Sequence, residues 1–225
     1  MRAHAAAGSR FVVRWSLACA AGELLGIAAA AGAAAMLATR MAEPATAGEK
    51  ALTLALMVAA GVLEGTLVGT VQWRVLRRRF PTVPVRDWIG ATAAVAAAGW
   101  SLGMLPSLLQ PAPAADAPAP ELPLATVGVL ALGFGLLAGA MFGAGQWMVL
   151  RRHARHAGRW IVANALGWGA GITWIYLAAA VVEPGTATTT VAATGALAGV
   201  AAGLTLGLVT GLFLLRIHPR TGLQR

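Results

Sequence analysis

The chain has 225 residues, 58% of them hydrophobic and only 11% charged, with a formal net charge of +9. So little charge excludes an ordinary soluble domain and fits an integral membrane protein. The positive balance alone would also suit a nucleic-acid binder, so the placement of the arginines decides between the two.

Six apolar stretches, at about residues 11–39, 51–76, 88–109, 124–150, 159–182 and 189–216, each exceed the ~20 residues a helix needs to cross the hydrocarbon. The first follows Arg2, Arg10 and Arg14 and carries Trp15, Cys19, Gly22, Glu23 and Gly26. A basic start before an apolar run imitates a signal peptide. Retention is expected instead, because Trp15, Gly22 and Gly26 match Trp160, Gly167 and Gly171 in spacing. Cys19 is the only cysteine, so no intrachain disulfide is available. The second stretch runs through Gly61, Glu64, Gly65 and Gly69 into Gln72-Trp73, Leu76 and Arg77-Arg78.

The third stretch contains Gly99-Trp100-Ser101-Leu102-Gly103, which has the letter pattern of a nucleophile elbow. An elbow needs a strand-to-helix turn, and its serine needs a base. Neither is present, since His4, His153, His156 and His218 all fall in loops or tails. The same placement removes a bis-histidine haem site. An Ala/Pro-rich connector, Pro111 to Pro120, is expected to be extended. The fourth stretch repeats the second: Gly135, Gly139 and Gly143 lead into Gln146-Trp147, Leu150 and Arg151-Arg152. The fifth opens with Arg159-Trp160, and the sixth carries Gly199, Gly203 and Gly207, with Thr210-Gly211 in place of Gln-Trp before Leu214 and Arg216.

Recurrence at this scale identifies the structural unit. The chain is expected to be all-α: one polytopic membrane domain over 1–225, six transmembrane helices arranged as three helical-hairpin repeats at about 11–86, 87–158 and 159–225. The basic residues fall on one side of such a topology, with only Arg40 and Lys50 opposite, while Glu43, Glu49, Asp116, Glu121 and Glu183 share the other side. This positive-inside pattern predicts cytoplasmic termini. It makes the lipid bilayer, with anionic headgroups, the partner of the arginines and leaves nucleic acid out. A protein partner or a second copy is left open.

Glycines at i, i+4 and i+8 give each returning helix a stripe without side chains, where backbones can approach closely. Two arrangements fit: the three striped helices against one another around a pseudo-threefold centre, or each against its own hairpin partner. Trp73 and Trp147, just before the paired arginines Arg77-Arg78 and Arg151-Arg152, are placed in the interfacial belt. Gln72 and Gln146 need partners at that depth, which a neighbouring backbone or a headgroup could supply. Aligning Gly99 and Gly103 with Gly22 and Gly26 puts Trp100 and Trp168 where Glu23 stands, and Ala138 and Ala202 where Glu64 stands.

The run Gln146-Trp147-Met148-Val149-Leu150-Arg151-Arg152, followed by Arg159-Trp160 and Asn164 through Gly171, resembles a widespread set of bacterial multi-pass membrane proteins built from Gln-Trp-x-x-Leu-Arg-Arg hairpins. The likeness is strongest over 135–176 and weaker over 61–104, and the third copy departs from it. That set has no assigned activity, so the resemblance implies only fold and a bacterial inner-membrane location.

The chemistry-bearing residues that remain are Glu23 and Glu64, both near the bilayer centre and beside glycines. A charged acid there costs on the order of 3 kcal/mol or more, which makes each a functional candidate. The expectation is a membrane scaffold or accessory protein, not an enzyme, with no cofactor and no metal. The alternative is a small transporter or channel for protons, cations or a small apolar solute, using Glu23 and Glu64.

Overall fold

The computed structural model describes residues 2–40, 46–109, 122–183 and 185–220. They form helices α1 (Arg2–Arg40), α2 (Ala47–Leu76), α3 (Val85–Leu109), α4 (Leu124–His153), α5 (Arg159–Ala180) and α6 (Thr188–Leu214), and two short strands, β1 (Ala154–Arg155) and β2 (His218–Pro219). Each helix contains a segment long and apolar enough to cross a membrane. The whole Pro111–Pro120 connector and the acids Glu43, Asp116 and Glu121 lie outside the described residues. Glu49 completes a capping box at the start of α2: its backbone N–H donates to Thr46 Oγ1 at 3.2 Å, and its carboxylate accepts from the Thr46 N–H at 2.9 Å.

Consecutive helices are neighbours and α6 returns to α1, so the six close into a ring. The glycines decide how. A Cβ on Gly65 of α2 would stand 2.7 Å from the Ala93 Cα of α3; one on Gly143 of α4, 2.8 Å from the Ile161 Cα of α5; one on Gly203 of α6, 2.5 Å from the Ala20 Cα of α1. Only glycine permits backbones this close. This corrects both arrangements expected from the sequence. The glycine-lined helices face neither one another nor their hairpin partners; each packs on the helix that opens the next hairpin, and the last packs on the first.

The contacts also correct the alignment of α3. Gly69 meets Ile89 and Thr92, Gly143 meets Ile161 and Asn164, and Gly207 meets Ser16 and Cys19. In this register Trp88 stands with Trp15 and Trp160, and Ala96, not Trp100, stands with Glu23 and Trp168. Matching by glycine misled by one turn because Gly103, unlike Gly26 and Gly171, has nothing within 4 Å of where a Cβ would be.

The end of the bundle bearing the arginine-rich turns is filled. Trp15, Trp88 and Trp160 are at most 1% exposed. The ring of Trp160 lies 5.9 Å from each of the other two. Leu76, Leu150 and Leu214 pack around them, each fully buried. The turns are tied together at the same end. Strand β1 pairs antiparallel with β2. Arg79 donates to the carbonyls of Leu214 and Leu215 at 2.9 Å and of Ile217 at 3.2 Å, satisfying oxygens that the end of α6 leaves open. Burial lowers the Arg79 pKa from its ordinary value.

Candidate functional site

Above the tryptophans lies a polar layer. Trp160 Nε1 donates to Gln146 Oε1 at 3.0 Å, and Gln146 Nε2 donates to Gln72 Oε1 at 3.2 Å and to Thr92 Oγ1 at 2.9 Å. Trp15 Nε1 donates to Thr210 Oγ1 at 2.8 Å, so the threonine of α6 takes an indole proton as Gln146 does. Gln72 Nε2 also reaches Cys19 Sγ at 3.7 Å. The partners of the two glutamines are therefore side chains in the bundle centre, not the backbone or headgroups expected from the sequence. Trp88 Nε1 is buried without a partner.

Beyond this layer the centre opens into a cavity of about 390 Å³ that Glu23 and Glu64 both line. Its volume falls in the range of small-molecule sites. Room for it comes from small side chains: Ala96 stands level with Glu23 and Trp168, and Ala138 level with Glu64. Two glycines shape it further. Gly61 admits the Trp100 ring, which a Cβ would strike, and Gly26 admits Glu64, whose Cγ lies 2.5 Å from where a Cβ would be. The ring and the acid then meet, with Trp100 Nε1 donating to Glu64 Oε2 at 2.8 Å. Glu23 is 3% exposed.

Aromatic and aliphatic side chains make up most of the remaining wall. Phe142 and Trp168 lie 5.4 Å apart, and Phe134 and Tyr176 6.3 Å apart. Among the described residues no lysine, arginine or histidine lines the cavity. The Trp168 indole N–H is buried without a partner. The α3–α4 contact is the loosest in the ring. Those two helices touch near the filled end, where Val95 blocks a Cβ on Gly145, and a Cβ on Gly99 would stand 3.7 Å from Met141 Cε; beside Gly103 there is open space. The seam thus widens toward the cavity.

The other residues singled out in the sequence sit apart from this site. Trp73 and Trp147 are half-buried at the arginine-rich end, with the Arg77 guanidinium 4.9 Å over the first ring and that of Arg151 4.8 Å over the second. Arg78 and Arg152 are exposed. Among the described residues no three metal-ligating side chains gather. Sequence reasoning missed the tryptophan trio, Thr92 and Thr210. The nearly equal spacing of Trp15, Trp88 and Trp160 was the available signal. Comparison with protein-family models, curated proteins and solved structures gives no match, so the site's own geometry carries the functional reading.

Proposed function

We propose that this protein is a six-helix membrane carrier, built of three hairpin repeats, that binds a small, largely apolar amine in the central cavity with Glu23 and Glu64 as its polar anchor. The carrying observation is one cavity, walled by aromatic rings, that reaches both acids and has no basic side chain among its described lining residues. Two acids without a cation beside them stay neutral or draw a positive charge from outside the protein. A protonated amine supplies that charge and suits the aromatic walls. The filled tryptophan layer favours a carrier over an open pore, because nothing passes that end without rearrangement.

The recurrence of one glycine contact between α2 and α3, α4 and α5, and α6 and α1 supports the triplication, and with it the likeness to the bacterial Gln-Trp-x-x-Leu-Arg-Arg hairpin proteins. The crowding of arginines at one end supports a cytoplasmic assignment for that end. A filled centre would favour a scaffold, the first expectation from the sequence; the cavity at the two acids favours the carrier reading instead. The proposed role, like that expectation, is not enzymatic.

The test uses the protein in proteoliposomes with 2-phenylethylamine and its neutral analogue 2-phenylethanol. The amine is expected to quench Trp100 and Trp168 fluorescence saturably and to show pH-dependent flux, with the alcohol much weaker. Glu23→Gln with Glu64→Gln keeps shape and hydrogen bonding but removes the ionisable groups, and should abolish both signals. A parent protein without saturable quenching and without pH- or cation-dependent flux would end this reading.

A further inference from the structure

Two grooves lie side by side at the arginine-rich end, between the first turns of α1 and the end of α2, with volumes of about 630 and 300 Å³. They share Ala7, Phe11 and Arg78. Arg79 walls the larger, Arg10 and Arg14 the smaller, and among the described residues no acid lines either. The four guanidiniums are not equivalent. Arg79 is fixed by its three carbonyl partners and lies 6.0 Å over the Phe11 ring, whereas Arg10, Arg14 and Arg78 are exposed. Carbonyl partners hold a guanidinium in place without cancelling its charge. The pair of grooves therefore has one rigid positive wall and three arginines that can turn toward a ligand.

What lies deeper in the membrane on the same face of α1 matters equally. From Arg10 and Arg14 the helical spacing leads to Leu17, Ala21 and Leu24, all exposed. Guanidiniums at the end of a spanning helix, with an uncovered aliphatic track running inward from them, match a molecule with a phosphate head and a hydrocarbon tail. A free anion would have no use for the track.

The geometry points to a specific seat for an anionic phospholipid: its phosphate between Arg10, Arg14 and Arg78, and its acyl chain along Leu17 and Leu24. At the other arginine-rich turn Arg151 is stacked on Trp147 and Arg159 donates to the Arg216 carbonyl at 3.0 Å, and the exposed Arg152 and Arg155 serve as the control for general attraction. Juxtamembrane arginines attract anionic headgroups in general. The inference here is narrower, one position and three named side chains.

The experiment reconstitutes the full chain in nanodiscs of phosphatidylcholine with and without phosphatidylglycerol and counts retained phosphatidylglycerol by native mass spectrometry. The parent should retain it. The variant R10Q/R14Q/R78Q should lose affinity on the order of 10- to 100-fold, while the control R151Q/R152Q/R155Q, which removes the same charge, should change by less than about threefold. All three target side chains are exposed, so the fold should persist, and circular dichroism checks this; if the triple variant unfolds, the single R78Q takes its place and must weaken retention more than R152Q. Equal losses in the target and control variants would mean diffuse attraction and overturn the seat, as would a parent that retains no phosphatidylglycerol. A further arm adds inorganic phosphate or glycerol phosphate at matched concentration. If either displaces the lipid as effectively as added phosphatidylglycerol does, the ligand is a soluble anion and the lipid assignment fails.

Discussion

The two halves of the bundle are built on the same backbone contacts and differ in what fills the middle. At the arginine-rich end three tryptophans and three leucines occupy the centre, all at most 1% exposed. About two turns beyond the tryptophans stand Glu23, Ala96 and Trp168, and about three turns beyond the leucines stand Glu64, Ala138 and Ala202. With alanine at Ala96 and Ala138, where the filled end has Trp88 and Leu150, and the helices no closer together, space is left. Glycine contacts set the helix spacing and central side chains set whether the interior is solid or hollow, so stability and binding are assigned to different residues.

The sharpest way to break that division is at the tryptophans. Trp160→Ala removes the ring that touches both Trp15 and Trp88 and leaves Gln146 Oε1 without its donor. A loss of about 3–5 kcal/mol is expected, read as thermal unfolding in detergent. Trp100→Ala, at the cavity, should cost clearly less, and equal costs would erase the distinction between the halves.

Backbone spacing is tested next. A leucine at Gly139 would collide with the Asn164 carbonyl and the Trp168 Cβ. Gly139→Leu should destabilise by about 1–3 kcal/mol. Leu137→Ala, at a side chain 75% exposed, should do much less. Unfolding temperatures indistinguishable from the parent's for Gly139→Leu would refute close packing.

The polar layer between the halves should show an intermediate effect. Gln146→Leu strands the Trp160 indole N–H and removes the donor to Gln72 and to Thr92, whose own hydroxyl still donates to the Trp88 carbonyl. Because interhelical hydrogen bonds in membranes are modest, the expected loss is about 1–2 kcal/mol. Denaturation in detergent measures it, and no loss would make this layer incidental.

The smallest stability effect belongs to the cavity itself. Glu64→Gln keeps an acceptor for Trp100 Nε1, so a change under about 0.5 kcal/mol is expected, alongside a large change in amine binding. A stability loss as large as that of Gln146→Leu would recast Glu64 as packing glue.

The six spans, the glycine positions and the two acids were legible in the sequence because each is a matter of composition or period along one helix. The partner of each glycine face was not. The stripe of α2 reads the same whether it meets α1, α3 or α4, since glycine carries no information about what approaches it. The register of α3 failed for a related reason: Gly103 looks like Gly26 and Gly171 in the sequence but meets nothing, and the glycine pair outweighed the Trp-Ile-x-Ala run that Trp88 shares with Trp160. The cavity was out of reach altogether, because a void depends on the sum of several small side chains brought together from different helices.

Closure of the ring by α6 on α1 has a consequence for the order of assembly. The surface of α1 around Ser16, Cys19 and Ala20 is complementary to Gly203 and Gly207, which lie some 190 residues later. During synthesis α1 is made long before its glycine partner α6. Until α6 arrives, Ser16 and Ala20 lack the helix that covers them, and Trp15 has no Thr210 to accept its indole hydrogen bond. Contacts this distant in sequence form late. The final helix is thus the latch of the whole bundle, and a chain halted before Thr188 would display an open edge that a second truncated copy, or a membrane chaperone, could occupy.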